Sequence, residues 1–227
     1  MTNPPKNYGQ LLVLPSLSPR NLSGASKNHL TGFFVFSDGK GVNRVVGAES
    51  HLEFNYGLCL AAHPDTAYLQ EQVLFVWRDP VGDLRDHFFD FVVTHSDGSK
   101  LAYTVKPMVW NRGEFAEDMP HIAEQARASG RFSDVRLLSD TDLDRVSLFN
   151  AKLLHACRAG VPAHDAVARS VVQGMAGVVA LRVLVEQTGL AGDGFRALVR
   201  LIRSGHLRLR NHEHISYDAA LFKAAQP

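Results

Sequence analysis

The sequence predicts an α/β protein: a sheet flanked by helices over most of the chain, then a small helical domain. Three observations carry this reading. Strand-like runs follow one another across short turns at 68–79, 86–95 and 100–107. Segments with helical character stand on both sides of them, from Ser50 and from Glu114. After residue 155 the chain continues as helices and closes on a glycine turn and two short β-like runs. Strand runs joined by turns and bracketed by helices bury one sheet between helices.

Residues 1–30 are rich in Pro, Ser and Asn without periodicity and read as an N-terminal arm. GFFVFSDGKGVNRVVG (32–47) reads as a hairpin, its DGKG being turn chemistry. ESHLEFNYGLCLAAHP sets Leu52, Tyr56, Cys59 and Leu60 near helical spacing, with Ser50 as the N-cap and Pro64 as the stop. YLQEQVLFVWRD, DHFFDFVVTH and KLAYTVKP, joined by DPVGD and SDGS, form an antiparallel meander. EFAEDMPHIAEQARASGRF (114–132) is helical and stops at Gly130, and DVRLLSD (134–140) is a further strand. Residues 141–160 read as a helix capped by Thr141, and 161–190 as helices without strand signals. From 192 onward, a helix, a glycine turn and β-like runs around RNHE have the order of a winged helix-turn-helix. The expected division is an arm (1–30), a first domain (31–155) and a helical, winged-helix-like domain (156–227).

Composition narrows the class. No stretch of about 18 apolar residues lacks charge, so no membrane span is expected, and MTNPPKNYGQ has no signal-peptide pattern. The two cysteines, Cys59 and Cys157, have no CxxC spacing, which argues against a disulfide framework or a zinc cluster and suits a cytoplasmic protein. Residues 1–150 hold 14 Lys/Arg and 18 Asp/Glu, a balance of −4, whereas 151–227 hold 10 and 5, a balance of +5. A mildly acidic first part beside a basic tail suits a metal-using part next to a polyanion-binding part, and chance is the alternative. There is no HExxH, no GxxxxGK[ST], no GxGxxG and no GxSxG.

One constellation carries chemistry. Glu53 lies in the helix before the meander, Asp90 inside the aromatic run HFFDFVV of its second strand, and Lys106 at the end of its third, two residues after Thr104. A carboxylate in such a strand is costly unless a hydrogen-bond network or a divalent metal compensates it. Glu, then Asp, then x-V-K follows the order of the PD-(D/E)xK nuclease core. In that chemistry carboxylates hold Mg²⁺ (or Mn²⁺), which polarises a phosphate, and the lysine orients water and offsets developing charge. The plain alternative is a strand that ends at the surface on a lysine.

The wider stretch 30–145 resembles the catalytic domain of the TnsA family, the endonuclease subunit of heteromeric transposases. SHLE (50–53), EQ (71–72), FDFVVTHSDG (89–98) and VKP (105–107) come in that family's order, and SDGKGVNR lies where the family has a basic hairpin. The resemblance implies a restriction endonuclease-like core with a central mixed sheet. It implies Glu53, Asp90 and Lys106 as catalytic residues, Glu53, Asp90 and Thr104 around the metal, and Gln72 as possible support. It also implies partners: double-stranded DNA, a DDE-type transposase and an ATP-dependent regulator, in a bacterial, DNA-associated setting. The family carries Gln or Glu where this chain has Thr104, and a hydroxyl is a poorer magnesium ligand. Two other readings therefore stand beside the endonuclease: a weakened DNA-binding or assembly subunit, and a stand-alone restriction or repair nuclease.

For DNA contact the sequence offers Lys40 and Arg44 in the hairpin and Arg196, Arg200, Arg203 and Arg208 in the tail. Arg196, Arg200 and Arg203 have i, i+4, i+7 spacing and share one helix face, where basic side chains can neutralise phosphates. A solvated helix face is the alternative.

Overall fold

The computed structural model describes residues 6–8, 11–19, 31–37 and 43–224. The protein is mixed α/β and forms two compact units, one of residues 1–61 and 65–143, the other of 62–64 and 144–227. The division falls before the helix at 145–156 rather than after it, because that helix is bound to the second unit by Asn150, which accepts from the Ile215 N–H at 2.7 Å and donates to the Glu213 carbonyl at 2.9 Å.

In the first unit β1 (Lys6–Tyr8) and β2 (Leu11–Leu14) pair antiparallel, so part of the expected arm is strand. They join β3 (Gly32–Ser37) and β4 (Asn43–Ala48), the expected hairpin, in a sheet of order β1-β2-β4-β3. Helix α1 (His51–Ala62) starts as its sequence dictates: Glu53 N–H donates to Ser50 Oγ at 3.1 Å, while Glu53 Oε2 accepts from the Glu49 N–H at 2.8 Å. The first bond satisfies an orphan donor of the helix, and the second ties the residue before the cap to its first turn. Gly57 lets α1 approach closely, since a Cβ there would lie 2.7 Å from the Phe34 ring and 3.0 Å from Phe91. Tyr56 donates to the Ser139 carbonyl at 2.6 Å, and burial with Asp142 nearby pushes its phenol up to about 12.

The second sheet of this unit has the order β5-β6-β7-β8. β5 (Thr66–Arg78), β6 (Leu84–His95) and β7 (Lys100–Val105) are the antiparallel meander. Its first turn is held by Asp79, whose Oδ1 accepts from the Val81 and Asp83 N–H groups, with Gly82 at φ 101°. After β7 come a 3-10 turn at Met108–Trp110 and helix α2 (Glu114–Ala128), which crosses over so that β8 (Asp134–Leu138) lies parallel to β7. Met119, Ile122 and Ala126 of α2 pack on Phe75, Trp77, Phe89, Val92, Ala102 and Phe132.

The second unit runs α3 (Arg145–Ala156), α4 (Pro162–Gln173), β9 (Val178–Ala180), α5 (Leu181–Thr188), α6 (Ala191–Arg203), β10 (Leu207–Leu209) and β11 (Ala220–Lys223). Asp144, not Thr141, caps α3, accepting from the Ser147 N–H at 2.6 Å. β9 falls in a stretch expected to be wholly helical, because its pairing partner β11 lies 40 residues away in the register Ala180↔Ala220. The three strands form an antiparallel sheet of order β10-β11-β9 against a core of Ala168, Val172, Leu181, Leu184, Leu198 and Leu221. The segment between β10 and β11 is fastened to α3, with His212 Nε2 2.8 Å from Asp144 Oδ1 and His214 stacked on Phe149 at 4.3 Å.

Candidate active site

The candidate site lies in the middle of the β5-β6-β7 meander, where the strands depart from regular alternation. Residues i and i+2 of a strand share a face. Phe89 packs on the α2 face, with ring centroids 6.0 Å from Phe75 and 5.2 Å from Phe132. Phe91 meets Gly57 of α1 on the other face. The strand therefore changes face at Asp90. β5 does the same at Gln72, since Leu69 pairs with Val93 on the Phe91 side while Val73 and Phe75 belong to the α2 cluster. Gln72 takes up the change with φ 51°, in the left-handed region, although fully buried.

This break turns the Asp90 carboxylate along the sheet. Oδ1 accepts from Gln72 Nε2 at 3.3 Å, and Oδ2 accepts from the Val105 N–H at 2.7 Å. Regular β6–β7 pairing runs from Thr94↔Lys100 to Phe91↔Tyr103. Just beyond it, the carboxylate stands in for a main-chain acceptor. Asp90 is thereby tied to the strand end, one residue from both Thr104 and Lys106.

The other candidates lie around this centre. Ala102 is in the α2 cluster, so by alternation Thr104 and Lys106 also face α2. Thr104 is 4% exposed, and its Oγ1 is 2.9 Å from His87 Nε2. Burial pushes the His87 imidazole down to about 4, so it is neutral near pH 7, and its ring stands edge-on to Phe89 at 4.9 Å. Lys106 follows directly on β7, its main-chain N–H donating to Leu138 O at 2.9 Å and its Nζ 4.9 Å from the Phe115 ring centroid. Glu53 belongs to the opposite, α1 face, with its carboxylate on the Glu49 N–H. Asp90, Gln72 and the main chain between Thr104 and Lys106 are thus brought together, whereas Glu53 is not on the face of Thr104 and Lys106.

Two residues with no role assigned from the sequence lie near the site. His87 is two residues before Phe89, and strand alternation alone would have set it on the face of Thr104. Glu71, the first residue of EQ, is fully buried; its Oε1 accepts from Ser16 Oγ, and its Oε2 has no hydrogen-bond partner among the described residues.

The metal can be tested against this donor set. Among the described residues no three His, Cys, Asp or Glu side chains converge as a cage. Magnesium, however, is commonly held by one or two carboxylates with the remaining positions left to water and substrate phosphate. Asp90, a hard oxygen donor set against main chain at the end of the strand that leads to Lys106, fits a site completed by a phosphate. Thr104, turned to His87, adds no charge to it.

Of the expected DNA contacts, Lys40 lies outside the described residues. Arg44 Nη1 donates to the Tyr68 hydroxyl and its guanidinium lies 4.9 Å from that ring centroid, so it braces β4 against β5. Arg200 is engaged more fully. Only 15% of its side chain is exposed, and it donates to Asp165 Oδ1 at 2.5 and 2.8 Å and to the Cys157 and Ala159 carbonyls at 3.1 Å. Arg203 is half-buried, donates to the His63 carbonyl at 3.4 Å, and burial lowers its pKa. Arg196 and Arg208 are exposed.

No protein-family model matches the chain, and no curated protein is significantly similar to it.

Proposed function

We propose that this chain is the endonuclease subunit of a TnsA-type transposase, a metal-dependent hydrolase of one DNA strand at a transposon end. The observation that carries the reading is the 2.7 Å bond from the Val105 N–H to Asp90 Oδ2. It draws a carboxylate to the end of the strand that leads to Lys106, as phosphodiester hydrolysis by a PD-(D/E)xK core requires. The order α1-β5-β6-β7-α2-β8, with β8 parallel to β7, suits a restriction endonuclease-like core.

Asp90 would hold Mg²⁺ or Mn²⁺ together with a DNA phosphate. Bound there, the ion would polarise that phosphate. Glu53, on the α1 face, already accepts from the Glu49 N–H, and Thr104 is turned to His87. Lys106 brings a cation to the strand end, where it offsets charge gathering on the phosphate. The second unit, with α5 and α6 followed by β10 and β11 and with β9 paired to β11, suits a winged-helix-like module. Arg196 and Arg208 are the basic side chains it would present to DNA. Double-stranded DNA, a DDE-type transposase and an ATP-dependent regulator are the partners this reading entails.

A second reading is favoured by one observation, the 2.9 Å bond of Thr104 Oγ1 to His87. With that position neutral and engaged, the chain would serve as a DNA-binding or assembly subunit that docks the transposase. Calorimetric titration with Mg²⁺ and Mn²⁺, with and without duplex DNA, separates the two. Binding that disappears in Asp90→Ala supports the endonuclease. Absence of binding at millimolar metal with DNA present overturns it in favour of the assembly subunit.

A further inference from the structure

Gln72 is an outlier inside a thirteen-residue strand: a fully buried, non-glycine residue at φ 51°. L residues adopt that backbone at a cost, and such strain persists only where the surroundings over-determine it. Here it coincides with the point at which β5 and β6 both change face, and the side chain reaches the carboxylate across the strand gap at 3.3 Å.

We propose that Gln72 is the positioning residue of Asp90. Its left-handed backbone turns the strand so that the amide donates to Oδ1. This holds the carboxylate along the sheet, with Oδ2 on the Val105 N–H. A regular strand at this point would send the Asp90 side chain to one face of the sheet and leave Val105 to a main-chain acceptor. The bond between the carboxylate and the Lys106-bearing strand is therefore a product of the Gln72 turn. The consequence for metal binding rests on the endonuclease reading, whereas the positioning itself does not.

The test uses the full chain with Gln72→Gly and Gln72→Asn. Glycine accepts the left-handed backbone freely and removes the amide. Asparagine tolerates that backbone and keeps an amide one methylene shorter. Three readouts are taken: amide exchange of Val105 by NMR, thermal stability, and Mn²⁺ titration with duplex DNA. We expect Val105 exchange to accelerate at least tenfold in both variants relative to its β7 neighbours. Asp90→Ala, as control, should accelerate Val105 by a similar factor. Val105 exchange that stays at the wild-type rate, or that rises only in step with all of β7, overturns the proposal, as does a fall in melting temperature of Gln72→Asn without selective loss at Val105. If Val105 responds and the wild type binds no Mn²⁺, the positioning role stands and the endonuclease reading fails. Weaker Mn²⁺ binding in Gln72→Gly, with Val105 selectively exposed, supports both.

Discussion

Asp90 in the first unit and Asp165 in the second are both half-buried carboxylates, and the two units treat them differently. Asp165 meets a guanidinium: Arg200 reaches it from α6 at 2.5 and 2.8 Å and spends a further nitrogen on two main-chain carbonyls. Asp90 meets an amide and a main-chain N–H at a place where the backbone is strained. The first arrangement joins α4, α6 and the end of α3, and is scaffolding. The second spends conformational energy to aim a carboxylate at a strand end. Charge alone thus does not fix what a carboxylate does in the fold; what lies opposite the charge does.

The largest test of this contrast is Arg200→Ala. The two side chains are 15% and 18% exposed, and removing one leaves the other largely uncompensated, so we expect a loss of about 3 kcal/mol in urea unfolding of the second unit. A loss below about 1 kcal/mol together with weakened DNA binding would return Arg200 to the DNA-contacting role its helical spacing suggests.

Next is the pH response of the first unit. Burial pushes the native pKa of His87 down to about 4 from its ordinary value of 6.5. Above pH 6.5 it is neutral whether folded or unfolded and costs nothing. Between 6.5 and 4 the unfolded chain takes up the proton and the native state does not, so stability falls as pH falls, by up to about 3 kcal/mol in all. Denaturant midpoints from pH 7 to pH 4 should drop more steeply for wild type than for His87→Phe. Parallel curves would show that His87 is as accessible to protons in the fold as outside it.

Smaller effects are expected at Asp90. Asp90→Asn keeps an acceptor for the Val105 N–H and should cost less than about 1 kcal/mol, whereas Asp90→Ala leaves that donor unpaired and should cost about 1–3 kcal/mol. Both should abolish metal binding. If Asn and Ala are equally destabilising, the charge itself is what holds the strand, and the contrast with Asp165 narrows. The smallest effect belongs to His212→Ala. Its pair with Asp144 is solvent-exposed at 66% and 48% of the two side chains. A change of less than about 1 kcal/mol at pH 6 is expected by chemical denaturation. A larger loss would make the β10–β11 segment part of the scaffold that Arg200 anchors.

Much of the architecture was legible locally. Ser50 and the helix after it, the turns at Asp79–Asp83 and around Gly98, the meander, α2 with its stop at Gly130, and β8 all rest on side-chain period and on cap or turn chemistry. These act over a few residues and need no knowledge of the rest of the chain. β9 was invisible for the converse reason: three residues of strand exist only because β11 pairs with them from far along the chain.

The same division runs through the site. The sequence by itself determined that Asp90 would lie in an aromatic strand and Lys106 at the end of the next, because alternation and Pro107 are local properties. It also determined that the tail would be basic. Only the tertiary structure decided where the charges point. Asp90 lies along the sheet because Gln72, 18 residues earlier, breaks the alternation of its neighbour strand. Thr104 is engaged because His87 packs beside Phe89. Arg44 and Arg200 are engaged because Tyr68 and Asp165 stand opposite them, 24 and 35 residues away. A charge takes its role from the group it meets, and long-range partners are set by the packing of the whole unit, which no local pattern encodes.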